Sequence, residues 1–263
     1  ILLRGYGEDE TLVHRRLVPE AVVVPDPDRV VGAERALAAG AEILVLDDAF
    51  QRLDIARELN IAVVSAEHAR AAPWPLPAGP WREGWGALAR AHLIVVTRRR
   101  TAPDEARDLA GRLARRWPGT PVAVAHLDVA HLEGMTSGRR REARELAGRR
   151  VVAAAGIADP ASFAVQLRAF GATVQLLAYQ DHHRYRDRDV ARLVRAAAEA
   201  DYVVVTEKDA VKLRPRWPAG AREPLVAALH LTWEQNGGAV ERALDAVLAS
   251  AARSRPGSRK RTL

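Results

Sequence analysis

The run Ile43-Leu44-Val45-Leu46-Asp47-Asp48 ends an apolar stretch in two carboxylates. Ligands of parallel sheets bind at the carboxyl ends of the strands, and an Asp placed there can face a Mg²⁺ ion carried on nucleotide phosphates. The same pattern also occurs as a helix cap. A second acidic group, Glu8-Asp9-Glu10, follows Arg4-Gly5-Tyr6-Gly7. Its carboxylates suit a general base or a metal ligand, or simply a helix start where negative charge meets the helix dipole. Asp181-His182-His183 sets imidazoles beside a carboxylate, a pairing that can hold a base in one tautomer or ligate a metal. Thr206-Glu207-Lys208-Asp209 packs charge at the end of an apolar run, as at a phosphate-binding edge or a salt-bridged turn. Leu76-Pro77-Ala78-Gly79-Pro80-Trp81-Arg82-Glu83 ends a stiff loop in an Arg, whose fork suits phosphate oxygens.

These groups need elements that bring them to one edge. Short β-branched runs at 21–24, 43–46, 61–64, 93–96, 122–125, 151–154, 174–177 and 202–205 read as strands, and Ile1–Leu3 reads as another. They are apolar on both faces, as expected of parallel strands covered by helices. Helical patterns fall between them at 29–39, 104–117, 161–170 and 188–200. The alternation predicts an α/β fold, with a doubly wound, mostly parallel sheet. The stretch 135–150 is polar and rich in Gly and Arg, and reads as a linker between two α/β lobes, with room for a short hairpin and helix. The Pro-rich stretch 73–80 can be neither helix nor central strand.

Bulk properties narrow the field. Apolar residues make up 48% and charged residues 28% of the 263, the balance of an ordinary globular chain. No apolar run approaches the roughly 20 residues of a membrane span, and no signal-peptide pattern is present. The absence of cysteine removes disulfides and thiolate metal sites. A net charge of +7 favours anionic partners: nucleic acid, phosphate ligands or an acidic membrane surface. The chain opens on Ile1 in a strand-like run, so a preceding segment is expected.

Taken in order, Arg4-Gly5-Tyr6-Gly7, Asp9-Glu10, Asp47-Asp48-Ala49-Phe50-Gln51, the loop 76–83, Asp181-His182-His183 and Thr206-Glu207-Lys208-Asp209-Ala210-Val211-Lys212 resemble the tetraacyldisaccharide 4'-kinase (lipid A 4'-kinase) family, up to about Asn236. The resemblance implies a sheet of P-loop NTPase type with a second, smaller C-terminal α/β domain and a site in the cleft between them. The implied division is a core lacking its first strand and P-loop over 1–134, a linker over 135–150, an α/β domain over 151–250 and a disordered basic tail over 251–263. It also implies ATP- and Mg²⁺-dependent transfer of the γ-phosphate to the 4'-hydroxyl of tetraacyldisaccharide 1-phosphate, at the cytoplasmic face of the bacterial inner membrane. Partners would be that lipid and the membrane surface, without nucleic acid. By position, Asp9 resembles the catalytic base and His182 its partner. Asp48, with Asp47 and Glu10, would hold Mg²⁺, and Tyr6, Arg29, Arg82 and Glu83 would line the nucleotide and substrate site.

Three departures bear on that resemblance. No G-x-x-x-x-G-K-[ST] stretch occurs in the 263 residues, so the chain by itself is expected to be inactive. The acidic motif follows Gly7 almost directly, where the family has a longer insertion. Ala49 and Arg52 replace a family Gly and His. Two other classes compete. A DHH-type metal-dependent phosphoesterase would explain residues 181–183 but not their late position or the loop 76–83. A basic nucleic-acid-binding protein rests on charge alone, since no motif interleaves the Arg clusters with aromatics.

Overall fold

The structure, a computed structural model, describes residues 1–3, 8–69, 75, 77–78 and 81–254. Tyr6 and most of the loop 73–80 lie outside the described residues. The chain forms two compact units, Ile1–Ala49 with Asp128–His230, and Phe50–Leu127 with Leu231–Leu263. These boundaries differ from a cut at 135–150, because the first 49 residues cluster with the segment 128–230.

In the first unit four strands run parallel. β7 (Arg150–Ala155) lies between β8 (Thr173–Ala178) and β9 (Tyr202–Thr206), and β9 pairs with the start of β10 (Leu225–Gln235). Alternation along β7 sends Val152 and Ala154 to one face, with Val190, Leu193 and Ala197 of helix α5 (Asp187–Glu199). Val151, Ala153 and Ala155 go to the other, with Phe163 and Leu167 of helix α4 (Pro160–Ala169). Apolar residues three and four apart give each helix one buried stripe, and the strand must therefore be apolar on both sides. The stretch 135–150 is the short hairpin and helix that its composition allowed: β6 (Arg140–Arg141) pairs antiparallel with β5 (Val122–Gly134), and a 3₁₀ turn spans Ala143–Leu146.

The same logic builds the second unit. β3 (Ile61–Ser65), β4 (Leu93–Arg98) and the first half of β5 run parallel. Ile94 and Val96 of β4 meet Ala106, Leu109, Ala110 and Leu113 of helix α3 (Pro103–Arg116). Leu93 and Val95 meet Ala239 and Val240 of helix α7 (Gly238–Ser254). The doubly wound, mostly parallel α/β class read from the sequence is thus the fold found.

Particular elements differ from the reading. The run 43–46 is not a strand: it makes one parallel bridge, Leu2 to Leu46, and leaves Ile43 and Val45 exposed. The ladder is short because β1 spans only Leu2–Leu3, whose other edge pairs with β2 (Val24–Pro25). The acidic group 8–10 does start a helix, α1 (Glu8–Leu17), whereas strand β10 and the helices α6 (Glu207–Leu213) and α7 were not anticipated. Helix α7 continues through Ser254, four residues into the expected tail, and 255–263 lie outside the described residues.

Candidate active site

Asp9 sits in the first turn of α1, where a carboxylate complements the helix dipole, yet it is only 3% exposed. Its Oδ1 and Oδ2 lie 3.0 and 3.1 Å from His182 Nδ1. An ionised carboxylate can only accept, so Nδ1 carries the hydrogen, and Nε2, 3.9 Å from Asp181 Oδ2, is the ring's other nitrogen. Lys212 Nζ donates to Oδ2 at 3.1 Å, and the Glu10 backbone N–H to Oδ1 at 3.1 Å. Burial on its own lifts the Asp9 carboxyl, but the His182 hydrogen bond and the Lys212 charge outweigh it and hold the group below the usual carboxylate range.

The elements that deliver these side chains are short and sharply turned. His182 is in the left-handed region at φ +55°, rare for a residue with a Cβ, and its N–H reaches the Gly156 carbonyl at 3.2 Å and Asp181 Oδ1 at 3.0 Å. Gly156 closes β7. A Cβ there would stand 3.0 to 3.1 Å from Asp209 Oδ1, the Gln180 carbonyl and His183 Cβ, so a side chain would push these neighbours back by a few tenths of an ångström. Thr206 caps α6, its Oγ1 accepting the Asp209 N–H and donating to Asp209 Oδ2 at 2.7 Å. Lys208 and Lys212, four apart, share one face of that helix. Lys208 meets Glu10 at 2.7 Å and Lys212 meets Asp9, so both lysines bind the acidic first turn of α1.

The two adjacent histidines have separate fates. His182, with 41% of its side chain exposed, faces Asp9. His183 Nε2 lies 3.1 Å from Asp189 Oδ2, and its ring packs 4.7 Å from Tyr179 and 5.0 Å from Tyr185. A pair of histidine ligands for one metal, as a phosphoesterase reading invites, is therefore not formed.

The remaining expected residues distribute unevenly. Arg29, 2% exposed, sends NH2 to the Asp47 carbonyl at 2.8 Å from the N-terminus of helix α2 (Arg29–Ala38). It shapes the acidic loop from inside. Asp47 and Asp48 follow the bridge with β1 and are exposed, Asp48 at φ +49°. Glu10 is tied to Lys208. Among the described residues no three His, Cys, Asp or Glu side chains gather as a metal-binding group. Arg82 and Glu83 belong to the second unit, where Glu83 pairs with Arg90 at 2.5 Å. Arg52, in place of the family His, pairs with Asp54 through Nε at 2.8 Å. Lys212 was named only as the end of the motif 206–212, with no role, and Gly156 was not singled out. The four-residue spacing of the lysines would have drawn attention to Lys212 had 207–213 been read as helix.

The sequence profile of tetraacyldisaccharide-1-P 4'-kinase (LpxK) matches residues 4–249. The tetraacyldisaccharide 4'-kinase of Anaeromyxobacter sp. (strain K) is 39% identical over 96% of this chain and 68% of its own length. That of Anaeromyxobacter dehalogenans (strain 2CP-1 / ATCC BAA-258) is 40% identical over 92% of this chain and 65% of its own, and that of Syntrophotalea carbinolica is 38% identical over 79% and 56%. The chain thus spans about three fifths to two thirds of these relatives. Among solved structures, LpxK from Aquifex aeolicus, crystallised with ATP, aligns with a TM-score of 0.63 at 22% identity, over 91% of this chain and 68% of that one. The shared fold is a mostly parallel α/β sheet. The chain belongs to the tetraacyldisaccharide 4'-kinase family.

Proposed function

We propose that this chain carries the acceptor-activating part of an ATP-dependent kinase that phosphorylates the 4'-hydroxyl of tetraacyldisaccharide 1-phosphate. The observation that carries this reading is the Asp9–His182 pair, in a chain of a family named for that activity. Transfer of a phosphoryl group needs an oriented hydroxyl, a place for its proton and neutralisation of charge on the phosphates. Asp9 is the base implied by the resemblance, and here its oxygens are taken up by His182, Lys212 and the Glu10 N–H. The hydroxyl proton therefore enters through the exposed His182 ring, and buried Asp9 balances the positive charge that forms. Enclosure makes that balance effective, since charges interact more strongly away from water.

Asp47 and Asp48 are exposed hard-oxygen donors, a fit to Mg²⁺, which keeps several waters and takes only one or two carboxylates alongside substrate phosphates. When bound, the ion would supply charge neutralisation at those phosphates. Glu10, bonded to Lys208, is the weakest of the three expected ligands. Tyr6, Arg82 and Glu83 remain candidates for nucleotide and lipid contacts. No helix among the described residues is long and apolar enough to cross a membrane, and the net charge of +7 favours peripheral contact with an anionic inner-membrane surface.

The test is transfer of phosphate from ATP to tetraacyldisaccharide 1-phosphate by the product of the complete reading frame, with and without Mg²⁺. Formation of the 4'-phosphate only with both ATP and Mg²⁺ is expected. No product at any substrate concentration would remove the proposal.

A further inference from the structure

Asp209 is fully buried. Its Oδ2 accepts two hydrogen bonds, from the Gly156 N–H at 3.0 Å and the Thr206 hydroxyl at 2.7 Å, while its own N–H donates to the Thr206 cap. Its Oδ1 meets no donor at full hydrogen-bond geometry among the described residues; the buried Tyr185 hydroxyl bears on the same carboxylate, and the nearest counter-charge is Lys212 Nζ at 3.4 Å. A carboxylate enclosed in this way is costly unless a cation stays beside it. Lys212 is confined in turn. Its side chain is 15% exposed, and Nζ lies 5.7 Å over the ring of buried Tyr185. A lysine in an ordinary i,i+3 pair would end there. Lys212 instead reaches beyond its own helix to Asp9 Oδ2, 203 residues earlier in the chain.

One cation therefore stands between two carboxylates of unlike rigidity. Asp209 is clamped by backbone and cap, while Asp9 rests on a ten-residue helix that begins at Glu8. Among the contacts of Asp9, the Glu10 N–H is local to that helix, and His182 arrives on an exposed turn. The His182 turn reaches the sheet through one backbone bond to the Gly156 carbonyl, and the Lys212 contact adds a side-chain path back to the end of β7 through Asp209.

We propose that Lys212 is a positioning residue: anchored on Asp209, its ammonium holds the Asp9 carboxylate in the orientation that meets His182 Nδ1. Its importance for turnover rests on the kinase reading above; the geometric role does not. The lysine touches no reacting atom in this scheme and acts only through Asp9.

The proposal is tested first on the 263-residue chain without turnover, by proton NMR of the low-field Nδ1–H of a histidine bonded to a carboxylate, assigned by its loss in His182→Ala. Lys212→Met should abolish or strongly weaken that signal, and Lys212→Arg should retain it. Because Lys212→Met strands Asp209, the pair Lys212→Met with Asp209→Asn, which removes the charge at Asp209 and leaves Asp9 to His182, is measured beside it. The signal should be lost there too, with near-native thermal unfolding. An unchanged signal in a folded variant lacking Lys212 overturns the proposal and leaves the kinase reading untouched. In the complete protein, kcat should fall about 10- to 100-fold in Lys212→Met with KM for ATP within about twofold. In an Asp9→Asn background the same change should do little more. Additive losses would mean that Lys212 acts independently of Asp9, and absence of activity in the unaltered protein would count against the kinase reading alone, since the NMR result stands without it.

Discussion

Both units set buried charge at the carboxyl ends of parallel strands, but they spend it differently. In the second unit Arg98, at the end of β4, forms a two-pronged pair with Glu234, and Arg98 also reaches the Thr101 carbonyl at 3.2 Å. Next to it Glu67 Oε1 accepts the successive N–H groups of Arg99, Arg100 and Thr101, which holds its carboxyl down to about 2 against the opposing effect of burial. These charges are matched inside their own unit and turn nothing outward. In the first unit Asp209, Lys212, Asp9 and His182 form a chain with one buried end and one open end. The lesson is that burial of charge alone does not mark a site. A site needs a buried, over-determined end that fixes geometry and an exposed end that meets substrate.

That contrast predicts a graded set of losses. The largest effect falls on the open end: His182→Ala should lower kcat of the proposed reaction about 10²- to 10⁴-fold, the usual weight of a positioned acid–base group, while urea unfolding changes little. A large loss of stability instead would make His182 structural, like its neighbour His183. Next, Arg98→Met leaves Glu234 enclosed without its partner and should cost about 3 kcal/mol in urea unfolding. Adding Glu234→Leu should recover much of that. No recovery would mean that Arg98 matters for something other than the pair.

Gly156→Ala comes third. The new Cβ crowds Asp209, Gln180 and His183, so a loss of about 2 kcal/mol is expected, together with weaker Asp9–His182 pairing. The smallest effect belongs to Glu67→Gln, about 1 kcal/mol, since the amide oxygen can still accept but without charge. The pH dependence supplies the sign. Glu67 titrates lower in the folded state than its ordinary 4.5, so its stabilisation is full above about pH 4.5 and lost as the pH falls toward 2. Acid titration of the Glu67→Gln variant against the parent should show the difference in stability shrinking through that window. A difference that is flat with pH would remove the charge from the explanation.

Much of the fold was legible because its physics is local. Strands apolar on both faces and helices with one apolar stripe declare a covered parallel sheet, and β3, β4, β7, β8 and β9 fall where the runs do. What was misread lacked that periodicity. The run 43–46 has a strand's composition, but its pairing depends on how few residues β1 presents. Helix α6 is seven residues long and mostly charged, so its face appears only once α1 is packed against it.

By itself the sequence determined the parallel α/β class, the acidic and histidine motifs and, through their order, the family. It could do so because side-chain type and short-range spacing are written along the chain. Only the tertiary structure decided which of two neighbouring histidines faces a carboxylate, that Arg29 supports a loop from within, and that Lys212 spans two carboxylates. Each depends on groups far apart in sequence meeting within about 3 Å, the reach of a hydrogen bond. A left-handed turn at His182 and a glycine at 156 bring about the meeting of His182 and Asp9.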